Sequence, residues 1–424
     1  MNKRVVVTGL GICAPNATDL ASFGNSMRKG VSGIRKREDL RELGFRCQVA
    51  GAPQITSELL NKYFNSIDLK GMNSTGLIYG GIAGMQAWTH AGLSMSQGID
   101  PDWDAGIVFG TSILGVDKFR ESIKKIDAGE VRRLGSTTVP QTMASGISAF
   151  LAGKLGCGNQ VTSNSAACST GTEAVIMAGE RIRNGQAQRM LAGSCSDSGP
   201  YIWGGFDAMR IVPSGFNDSP EKASRPLSAT ASGFVPSSGA GALLLESLES
   251  ALERNAPIYA EYLGGDVNCG GHRSGGSMTA SNNRAVQRCI SRSLSDANIT
   301  PEEIDAINGH LTATTKDAVE VSNWCEALGR YGSDFPFINS FKDVLGHGLA
   351  ASGSMECVAA ILQINAGVLF GNHNAEDLHP EVSGLIDPEK VPTRTITRQS
   401  QIIAKASLGF GDVNACVIFK NYKP

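Results

Sequence analysis

Residues that can do chemistry lie at turn-like positions of this chain. Cys168 lies in the stretch SNSAACSTGT, where small residues join an apolar strand-like segment to a helix-like one. A thiol at the start of a helix is favoured as the thiolate, because the helix dipole and free N–H groups stabilise an anion there. Cys168 is therefore a candidate nucleophile, and a buried structural cysteine is the alternative interpretation.

Two of the six histidines have a similar setting. His310 and His347 each follow a short apolar segment and a glycine, and Lys342 precedes His347 by five residues. A cysteine with two histidines could serve a hydrolase, a zinc site or an enzyme that forms carbon–carbon bonds. Two neutral imidazoles that donate N–H to one carbonyl oxygen suit the last task, since they stabilise an enolate. Zinc is the least favoured, because no fourth-ligand cluster accompanies the three residues.

A glycine motif near the start of the chain suggests a different chemistry. The run Gly9-Leu10-Gly11-Ile12-Cys13-Ala14 follows an apolar strand and has the spacing of a dinucleotide-binding turn. A proline delays the next helix, and no acidic ribose-binding residue follows at the usual distance. We expect a turn that packs against the core, and a nicotinamide-dependent dehydrogenase is the alternative.

The composition describes a large globular protein. The chain has 424 residues, of which 41% are hydrophobic and 18% charged, enough for two or three domain-sized units. A net charge of −2 gives no general attraction to nucleic acid or anionic membranes. The ten cysteines lack C-x-x-C pairs, so we expect reduced thiols. The first residues lack a signal-peptide pattern, and we expect a cytoplasmic protein.

Apolar strands alternate with helix-like segments, which predicts an α/β fold. The predicted strands are Val5 to Val7, Ala105 to Phe109, Met190 to Ala192, Ala242 to Leu245, Ile338 to Asn339 and Ala415 to Phe419. The clearest predicted helices are Glu173 to Asn184 and Ala285 to Ala297. IYAEYLGG, from residue 258, is patterned like RVVVTGLG at the start of the chain. This predicts two related halves, residues 1–250 and 251–424.

The chemical motifs together resemble those of one enzyme family. SAACSTGT around Cys168, G-H-x-T-x-T at His310, K-x-x-x-G-H from Lys342 to His347 and the C-terminal SLGFGDVN resemble the elongating β-ketoacyl-acyl carrier protein synthases. The resemblance runs the whole length of the chain. It implies the thiolase fold, with duplicated halves in a five-layered α/β/α/β/α arrangement, and a dimer.

The resemblance also implies a reaction. Cys168 would take an acyl chain from the phosphopantetheine thioester of an acyl carrier protein. His310 and His347 would hold the thioester oxygen of malonyl-acyl carrier protein while it loses carbon dioxide. The resulting enolate would attack the acyl-cysteine and give a β-ketoacyl chain two carbons longer, with no metal or redox cofactor.

Further residues have roles implied by the same resemblance. Lys342 would pair with Glu320 to anchor the catalytic network. The backbone N–H groups of Cys168 and Phe410 would form an oxyanion hole, and the ring of Phe410 would gate the acyl pocket.

Four residues are implied in substrate binding. Thr312 and Thr314 match threonines that bind the pantetheine arm, and Ile113 is similar to a residue that lines the acyl tunnel. Arg210 matches a basic residue near the entrance, where an acidic carrier protein would dock.

Several residues depart from the family pattern, three of them in the loops beside His310 and Phe410. Leu311 replaces a glycine after His310, and Asp412 and Val413 stand where G-F-G-G-T-N has glycine and threonine. Fewer glycines restrict the loops, which favours a specialised polyketide or polyene pathway at least as much as fatty-acid elongation.

The resemblance leaves the activity and the partner open in three ways. A thiolase-like acyltransferase that does not decarboxylate its acceptor is one alternative. A pocket-shaping subunit with little activity of its own is another. The partner in the dimer is either a second copy or a relative that resembles a chain-length factor.

Overall fold

A computed structural model of the protein describes residues 3–96, 98 and 100–423. The strands are β1 (Val5–Cys13), β2 (Ile34–Lys36), β3 (Val49–Gly51), β4 (Ala105–Gly110), β5 (Val161–Thr162), β6 (Arg189–Ser196), β7 (Gly239–Ser247), β8 (Ala260–Cys269), β9 (Ala306–Asn308), β10 (Phe337–Asn339), β11 (Val368–Leu369), β12 (Ile396–Thr397), β13 (Ile402–Gly409) and β14 (Val413–Lys420).

The α-helices are α1 (Leu20–Lys29), α2 (Glu38–Glu42), α3 (Ser57–Tyr63), α4 (Thr75–His90), α5 (Val116–Asp127), α6 (Thr138–Thr142), α7 (Gly146–Leu155), α8 (Thr170–Arg183), α9 (Pro200–Ala208), α10 (Leu248–Glu253), α11 (Asn283–Ala297), α12 (Asp317–Leu328), α13 (Lys342–Leu345), α14 (Ser352–Ala366) and α15 (Pro380–Ser383). Short 3-10 turns, Ala167–Ser169 and Leu349–Ala351, directly precede α8 and α14.

The main sheet is built from two copies of one topology. Its order is β10-β9-β13-β14-β8-β1-β7-β6-β4-β5. Going outward from the centre, β1, β7, β6, β4 and β5 correspond to β8, β14, β13, β9 and β10, with the same parallel or antiparallel pairing at every step. Residues 5–7 pair with residues 260–262 and join the halves. The predicted duplication is confirmed.

Helices cover both faces of each half-sheet. α8 and α14 pack against each other and against both half-sheets, so they form a shared central layer. α4 and α7 cover the outer face of the N-terminal half, and α11 covers that of the C-terminal half, with α12 packed against α11. The result is the expected five-layered α/β/α/β/α arrangement.

The central helix α14 is unusually apolar. Together with the 3-10 turn before it, Leu349–Ala366 is long and apolar enough to cross a membrane, but 83% of it is buried inside the protein. Two half-sheets and a second helix cover its surface, so it has the composition of a core helix.

The glycine motif near the start of the chain lies inside a strand. β1 continues through Gly9 and Gly11 to Cys13, so the expected turn at this motif is wrong. A Cβ atom on Gly9 or Gly11 would overlap the backbone carbonyl of Ala87 or Ala83 in α4. These glycines therefore allow a helix to lie directly against the strand, which accounts for the motif without a dinucleotide.

The predicted elements lie within observed ones except at Asn184, which is one residue past the end of α8. α8 begins at Thr170, three residues before the predicted Glu173, and ends at Arg183. Every predicted strand falls inside an observed strand. The division into residues 1–250 and 251–424 stays a prediction, and it falls within α10.

Parallel strands place the chemically active segments at one edge. β9, β13 and β10 run parallel, so their carboxyl ends lie together. His310 follows β9, Lys342 follows β10 and Phe410 follows β13. In the other half, the Cys168 turn follows β5, at the position that corresponds to β10.

Candidate active site

Cys168 lies in a one-turn 3-10 helix just before α8. Ala167 beside it has a φ of 48°, a left-handed conformation that is strained for residues other than glycine. The hydroxyl of Ser169 donates to the carbonyl oxygens of Ser407 and Val413, each at 3.1 Å. The turn that presents the thiol is thus bound to β13 and β14 of the other half.

Backbone hydrogen bonds fix the two histidines. The N–H groups of His310 and Leu311 donate to the two carboxylate oxygens of Glu320, at 2.6 and 2.8 Å. The N–H of His347 donates to the carbonyl of Val235 at 2.7 Å. These hydrogen bonds fix the backbone from which each imidazole ring extends.

The structure brings the cysteine and the two histidines together. The Sγ atom of Cys168 and one ring nitrogen each of His310 and His347 lie within 4.8 Å of one another. The two imidazole rings meet edge to face, with centroids 5.4 Å apart and planes at 82°. A small group held beside the sulfur can therefore contact both rings.

Neighbouring groups determine which nitrogen of His347 bears its proton. Nδ1 accepts the N–H of Leu349 at 3.3 Å and lies 2.9 Å from the hydroxyl of Ser352. In the neutral ring the proton is then on Nε2, which makes Nε2 a donor toward the cavity.

Both histidines are neutral near pH 7. Burial lowers the pKa of His347 well below its usual value, and the positive charges of Lys342 and Lys405 lower it further. Burial likewise lowers the pKa of His310, with Lys342 and then His347 as the next causes. Neutral imidazoles give one N–H each.

The thiol itself rests in the protonated form. Burial raises the pKa of Cys168 to about 11, although Lys342 and the backbone N–H of Phe410 act in the opposite direction. The resting thiolate expected from the helix N-terminus is therefore wrong, because desolvation disfavours the charged form more than its neighbours stabilise it. Attack on a thioester requires that the thiol lose its proton. His310 is the neutral base near the sulfur, because Nε2 of His347 already bears the proton of that ring.

The predicted ion pair between Lys342 and Glu320 is wrong. The Nζ atom of Lys342 lies 2.5 Å from Oε1 of Glu356 in α14, and it also donates to the carbonyl of His310 at 2.6 Å. The oxygens of Glu320 are already bound to backbone N–H groups, so its role is to hold the His310 turn. Burial raises the pKa of Glu320 to about 7.

A second lysine shares the same carboxylate. Lys405 in β13 is 0% exposed, and its Nζ atom lies 2.8 Å from Oε2 of Glu356. Neither Lys405 nor Glu356 was predicted. Each is the only charged residue in an apolar segment: Glu356 in SMECVAAIL of α14 and Lys405 in IIAKASLG of β13. A buried charge needs a partner of opposite charge. That signal could have found both.

A cavity of about 290 Å³ opens onto the sulfur and both histidines. Thr312 and Thr314 line it, with their hydroxyl oxygens 3.1 Å apart. A Cβ atom on Gly409 would come within 2.8 Å of the carbonyl oxygen of Ala166. The glycine lets β13 approach the cysteine turn closely enough for the N–H of Phe410 to reach the sulfur.

A second cavity, of about 350 Å³, also reaches Cys168. Ile113 and Tyr201 line it, and both side chains are partly exposed. Phe410 and Phe206 line both cavities, and their rings meet edge to face with centroids 6.3 Å apart. The ring of Phe410 therefore lies where a gate between the two cavities is expected.

Arg210 lies at the rim of the first cavity. Its neighbours in the chain, Met209 and Ile211, line that cavity, and Arg210 itself is exposed.

The residues that depart from the family pattern, Leu311, Asp412 and Val413, restrict the loops around the site. Leu311 is buried with a φ of 23°, and Asp412 is buried with a φ of 63°. The carboxylate of Asp412 accepts the N–H groups of Asn282 at 2.8 Å and His272 at 3.1 Å. Val413 begins β14. The loop after Phe410 is thereby bound to the segment 270–282, part of which lines the first cavity.

The cysteine and two histidines have spacing that could also hold a metal ion. The buried ammonium groups of Lys342 and Lys405 are close enough to depress the pKa of both histidines. The same positive potential disfavours a divalent cation. The arrangement fits a nucleophile with two hydrogen-bond donors better than a zinc site.

The described cysteines are all free thiols, as expected from their spacing. Most are buried, and Cys269 is exposed.

Comparisons with known proteins agree with this geometry. The family model of the β-ketoacyl synthase N-terminal domain matches residues 2–251, and that of the C-terminal domain matches residues 259–376. The chain is 34% identical to 3-oxoacyl-[acyl-carrier-protein] synthase I, chloroplastic, of Arabidopsis thaliana, covering 100% of this chain and 87% of the relative. It is 31% identical to 3-oxoacyl-[acyl-carrier-protein] synthase 1 of Escherichia coli, covering 99% and 100%.

Solved structures show the same fold. The ishigamide ketosynthase/chain length factor superposes with a TM-score of 0.88 at 26% identity, over 100% of both chains. A type II PKS acyl-carrier protein in complex with its ketosynthase bound to the hexaketide gives a TM-score of 0.87 at 28% identity, again over 100% of both chains. The thiolase-type fold is confirmed.

The fold and the matched family models define a condensing enzyme. This chain belongs to the β-ketoacyl synthase family.

Proposed function

We propose that this chain condenses an acyl group, held on Cys168, with malonyl-acyl carrier protein, with loss of carbon dioxide. The grouping of one sulfur and two imidazole nitrogens within 4.8 Å is the observation that carries the proposal. A nucleophile needs only one base, whereas a second neutral histidine gives a second donor for an enolate oxygen.

The first half-reaction loads the enzyme. The Cys168 sulfur attacks the thioester carbonyl of an acyl carrier protein, and a new C–S bond replaces the bond to the phosphopantetheine. The proton of the Cys168 thiol passes, through neutral His310, to the departing phosphopantetheine thiolate. The N–H groups of Cys168 and Phe410, which already face the sulfur, stabilise the tetrahedral oxyanion.

The second half-reaction extends the chain. His310 and His347 donate N–H to the thioester oxygen of malonyl-acyl carrier protein, so the electron pair left by departing carbon dioxide is held as an enolate. The enolate carbon attacks the acyl carbonyl, and the Cys168 thiolate leaves and takes up one proton from solvent. The product is a β-ketoacyl thioester with two more carbons.

The cavity walls suit the remaining roles. Thr312 and Thr314 bind the pantetheine arm in the first cavity, Phe410 gates passage, and Ile113 lines the acyl pocket in the second. Arg210 at the rim binds an acidic carrier protein. The structural anchors of this site are Lys342, paired with Glu356, and Glu320.

The pathway and assembly form part of the same proposal. One relative is named 3-oxoacyl-[acyl-carrier-protein] synthase 1, and one structural neighbour is a type II PKS ketosynthase. The loops restricted at Leu311 and Asp412 favour a specialised polyketide or polyene chain over a fatty acid. The enzyme works as a homodimer or beside a chain-length-factor-like subunit, in the cytoplasm. Its substrates arrive on phosphopantetheine, and the mechanism uses no further cofactor.

The test is intact-protein mass spectrometry after mixing the enzyme with acyl carrier proteins of several chain lengths. We expect one acyl mass on the wild type and none on the Cys168→Ala variant. Acylation without decarboxylation of malonyl-acyl carrier protein would identify a thiolase-like acyltransferase instead. If no donor acylates the enzyme, alone or with a co-expressed relative, the chain is a pocket-shaping subunit and the proposal is wrong.

A further inference from the structure

A buried lysine that the proposed mechanism does not use lies behind the two histidines. The ammonium of Lys405 is 2.8 Å from one oxygen of Glu356, and that of Lys342 is 2.5 Å from the other. All three residues are at most 1% exposed. One carboxylate between two ammonium groups leaves a net positive charge inside the core.

The cluster connects the nucleophile's helix with the His310 turn. Lys405 Nζ lies 3.1 Å from the hydroxyl of Ser407, which lies 2.8 Å from the hydroxyl of Thr172 in the first turn of α8. On its other side, the cluster reaches the carbonyl of His310 through Lys342 at 2.6 Å.

Burial of a second lysine needs an explanation. The pair of Lys342 and Glu356 is neutral by itself, so Lys405 adds an ion whose desolvation is costly. An apolar residue in β13 would be expected to stabilise the fold at least as well. The electrostatic field of the Lys405 ammonium group therefore explains its presence better than a contribution to the stability of the fold does.

We propose that Lys405 is a positioning residue whose charge, held in place by Glu356, keeps His310 and His347 in the neutral form that donates one N–H each. The inference rests on the proposed condensation for its purpose. A lone ion pair would produce little net field at the rings, whereas the second ammonium makes the cluster repel a proton from both.

The electrostatics of the surroundings agree. Lys405 contributes to the lowered pKa of both His310 and His347, after burial and Lys342. The titratable groups packed around the histidines and Lys405 are Cys168, Asp317, Glu320, Lys342, Glu356, Cys357 and Cys416.

The test titrates the histidine rings directly. The enzyme is labelled with ring-¹³C histidine, and the signals of His310 and His347 are assigned from single His→Gln variants. In Lys405→Met we expect the pKa of both rings to rise by about one unit or more. Lys118→Met is the matched control, because Lys118 is also buried but lies on α5 beside Glu121. It should leave both titrations unchanged.

Activity gives a second readout. If the histidines of Lys405→Met gain protons between pH 8 and pH 6, malonyl decarboxylation should fall by about tenfold over that range, beyond any fall in the wild type. Lys405→Arg, which keeps the charge, should behave like the wild type if it folds.

The outcomes separate this inference from the proposed function. Unchanged histidine titrations in a folded Lys405→Met variant would overturn it. Should that variant not fold, Lys405→Gln is titrated in its place, and failure of both to fold would make the lysine structural and equally overturn it. Shifted titrations in an enzyme whose wild type does not decarboxylate malonyl-acyl carrier protein would contradict the proposed function alone.

Discussion

The backbone N–H of Leu349 donates to Nδ1 of His347 at 3.3 Å, which leaves Nε2 as the ring's own donor. Replacing His347 with leucine removes that donor. We expect decarboxylation of malonyl-acyl carrier protein to fall by about 10²- to 10³-fold, as for loss of an oxyanion donor. Acylation of Cys168 should fall far less.

The control for this prediction is His347→Gln, whose amide keeps an N–H in a similar position. It should retain more decarboxylation than the leucine variant, measured by release of labelled carbon dioxide. Equal losses of acylation and decarboxylation in the leucine variant would mean that His347 serves the thiol alone.

Stability should depend on pH through the two histidines. Their folded pKa values are lowered, so the unfolded chain, with a histidine pKa of about 6.5, binds protons that the folded state does not. The free energy of unfolding should therefore fall as pH drops below about 6.5. The raised pKa of Glu320, about 7, acts in the opposite direction, because its folded form binds the extra proton.

The double variant His310→Gln/His347→Gln isolates the histidine contribution, since Glu320 is unchanged in it. Its thermal midpoint should decline less between pH 7 and pH 5 than that of the wild type. Parallel declines in the two proteins, measured by calorimetry, would show that the histidines are not held neutral.

Glycine is required at position 409 because β13 lies very close to the turn that carries Cys168. A Cβ atom there would lie 2.8 Å from the Ala166 carbonyl oxygen and 3.1 Å from the Ser169 hydroxyl, which forces β13 away from the cysteine turn. We expect Gly409→Ala to slow acylation of Cys168 by about tenfold or more, because the Phe410 N–H moves with the strand. Gly153→Ala, where an added Cβ meets open space in α7, should acylate normally. Normal acylation of Gly409→Ala would contradict this geometry.

Asp412 should control the order of the loop beside the cavity. Removing its carboxylate leaves the N–H groups of Asn282 and His272 without their acceptor, and the loss is about 1–3 kcal/mol for the N–H of Asn282, which is buried. Asp412→Ala should speed hydrogen exchange across residues 270–282.

The matched control is Asp305→Ala. Asp305 also accepts two backbone N–H groups, those of Gln401 and Ile402, but at the start of β13. It should leave exchange in residues 270–282 unchanged. Equal exchange in the two variants would mean that Asp412 does not hold the loop.

Ile113 should limit the acyl chain. Its side chain lines the cavity that reaches Cys168 from the other side of Phe410, so Ile113→Phe reduces the room there. We expect the preferred acyl donor to become shorter, as read from the masses of the acylated enzyme. Ile67→Phe, at an exposed position outside both cavities, should keep the wild-type preference. An unchanged preference in Ile113→Phe would place the acyl chain elsewhere.

The sequence predicted the residues that would react better than the buried charged residues behind them. Cys168, His310 and His347 follow short apolar strands and are marked by adjacent small residues, so local pattern was enough. Glu356 and Lys405 belong to segments that are buried on every side, where hydrophobic periodicity gives no signal and only the lone charge marks each residue. Their pairing depends on the meeting of α14 and β13 across the central layer, which is a tertiary contact.

Secondary-structure prediction also failed where a segment is buried on every side. Helix α4 was not predicted, because TGLIYGGIAGMQAWTH is rich in glycine and buried nearly all round, so it has no amphipathic stripe. Its glycines serve packing: a Cβ on Gly84 would approach within 2.6 Å of Leu151. The shared strand order of the two half-sheets, by contrast, follows from the duplication that the two similar strand patterns indicated.

A single-turnover experiment tests the central claim most directly. Enzyme acylated on Cys168 is purified and mixed with malonyl-acyl carrier protein, and both proteins are followed by mass spectrometry. The account predicts that the acyl mass leaves Cys168 and that the carrier protein gains the β-ketoacyl chain, two carbons longer than the acyl group, with release of carbon dioxide. An acyl-enzyme that persists while malonyl-acyl carrier protein stays intact would contradict it.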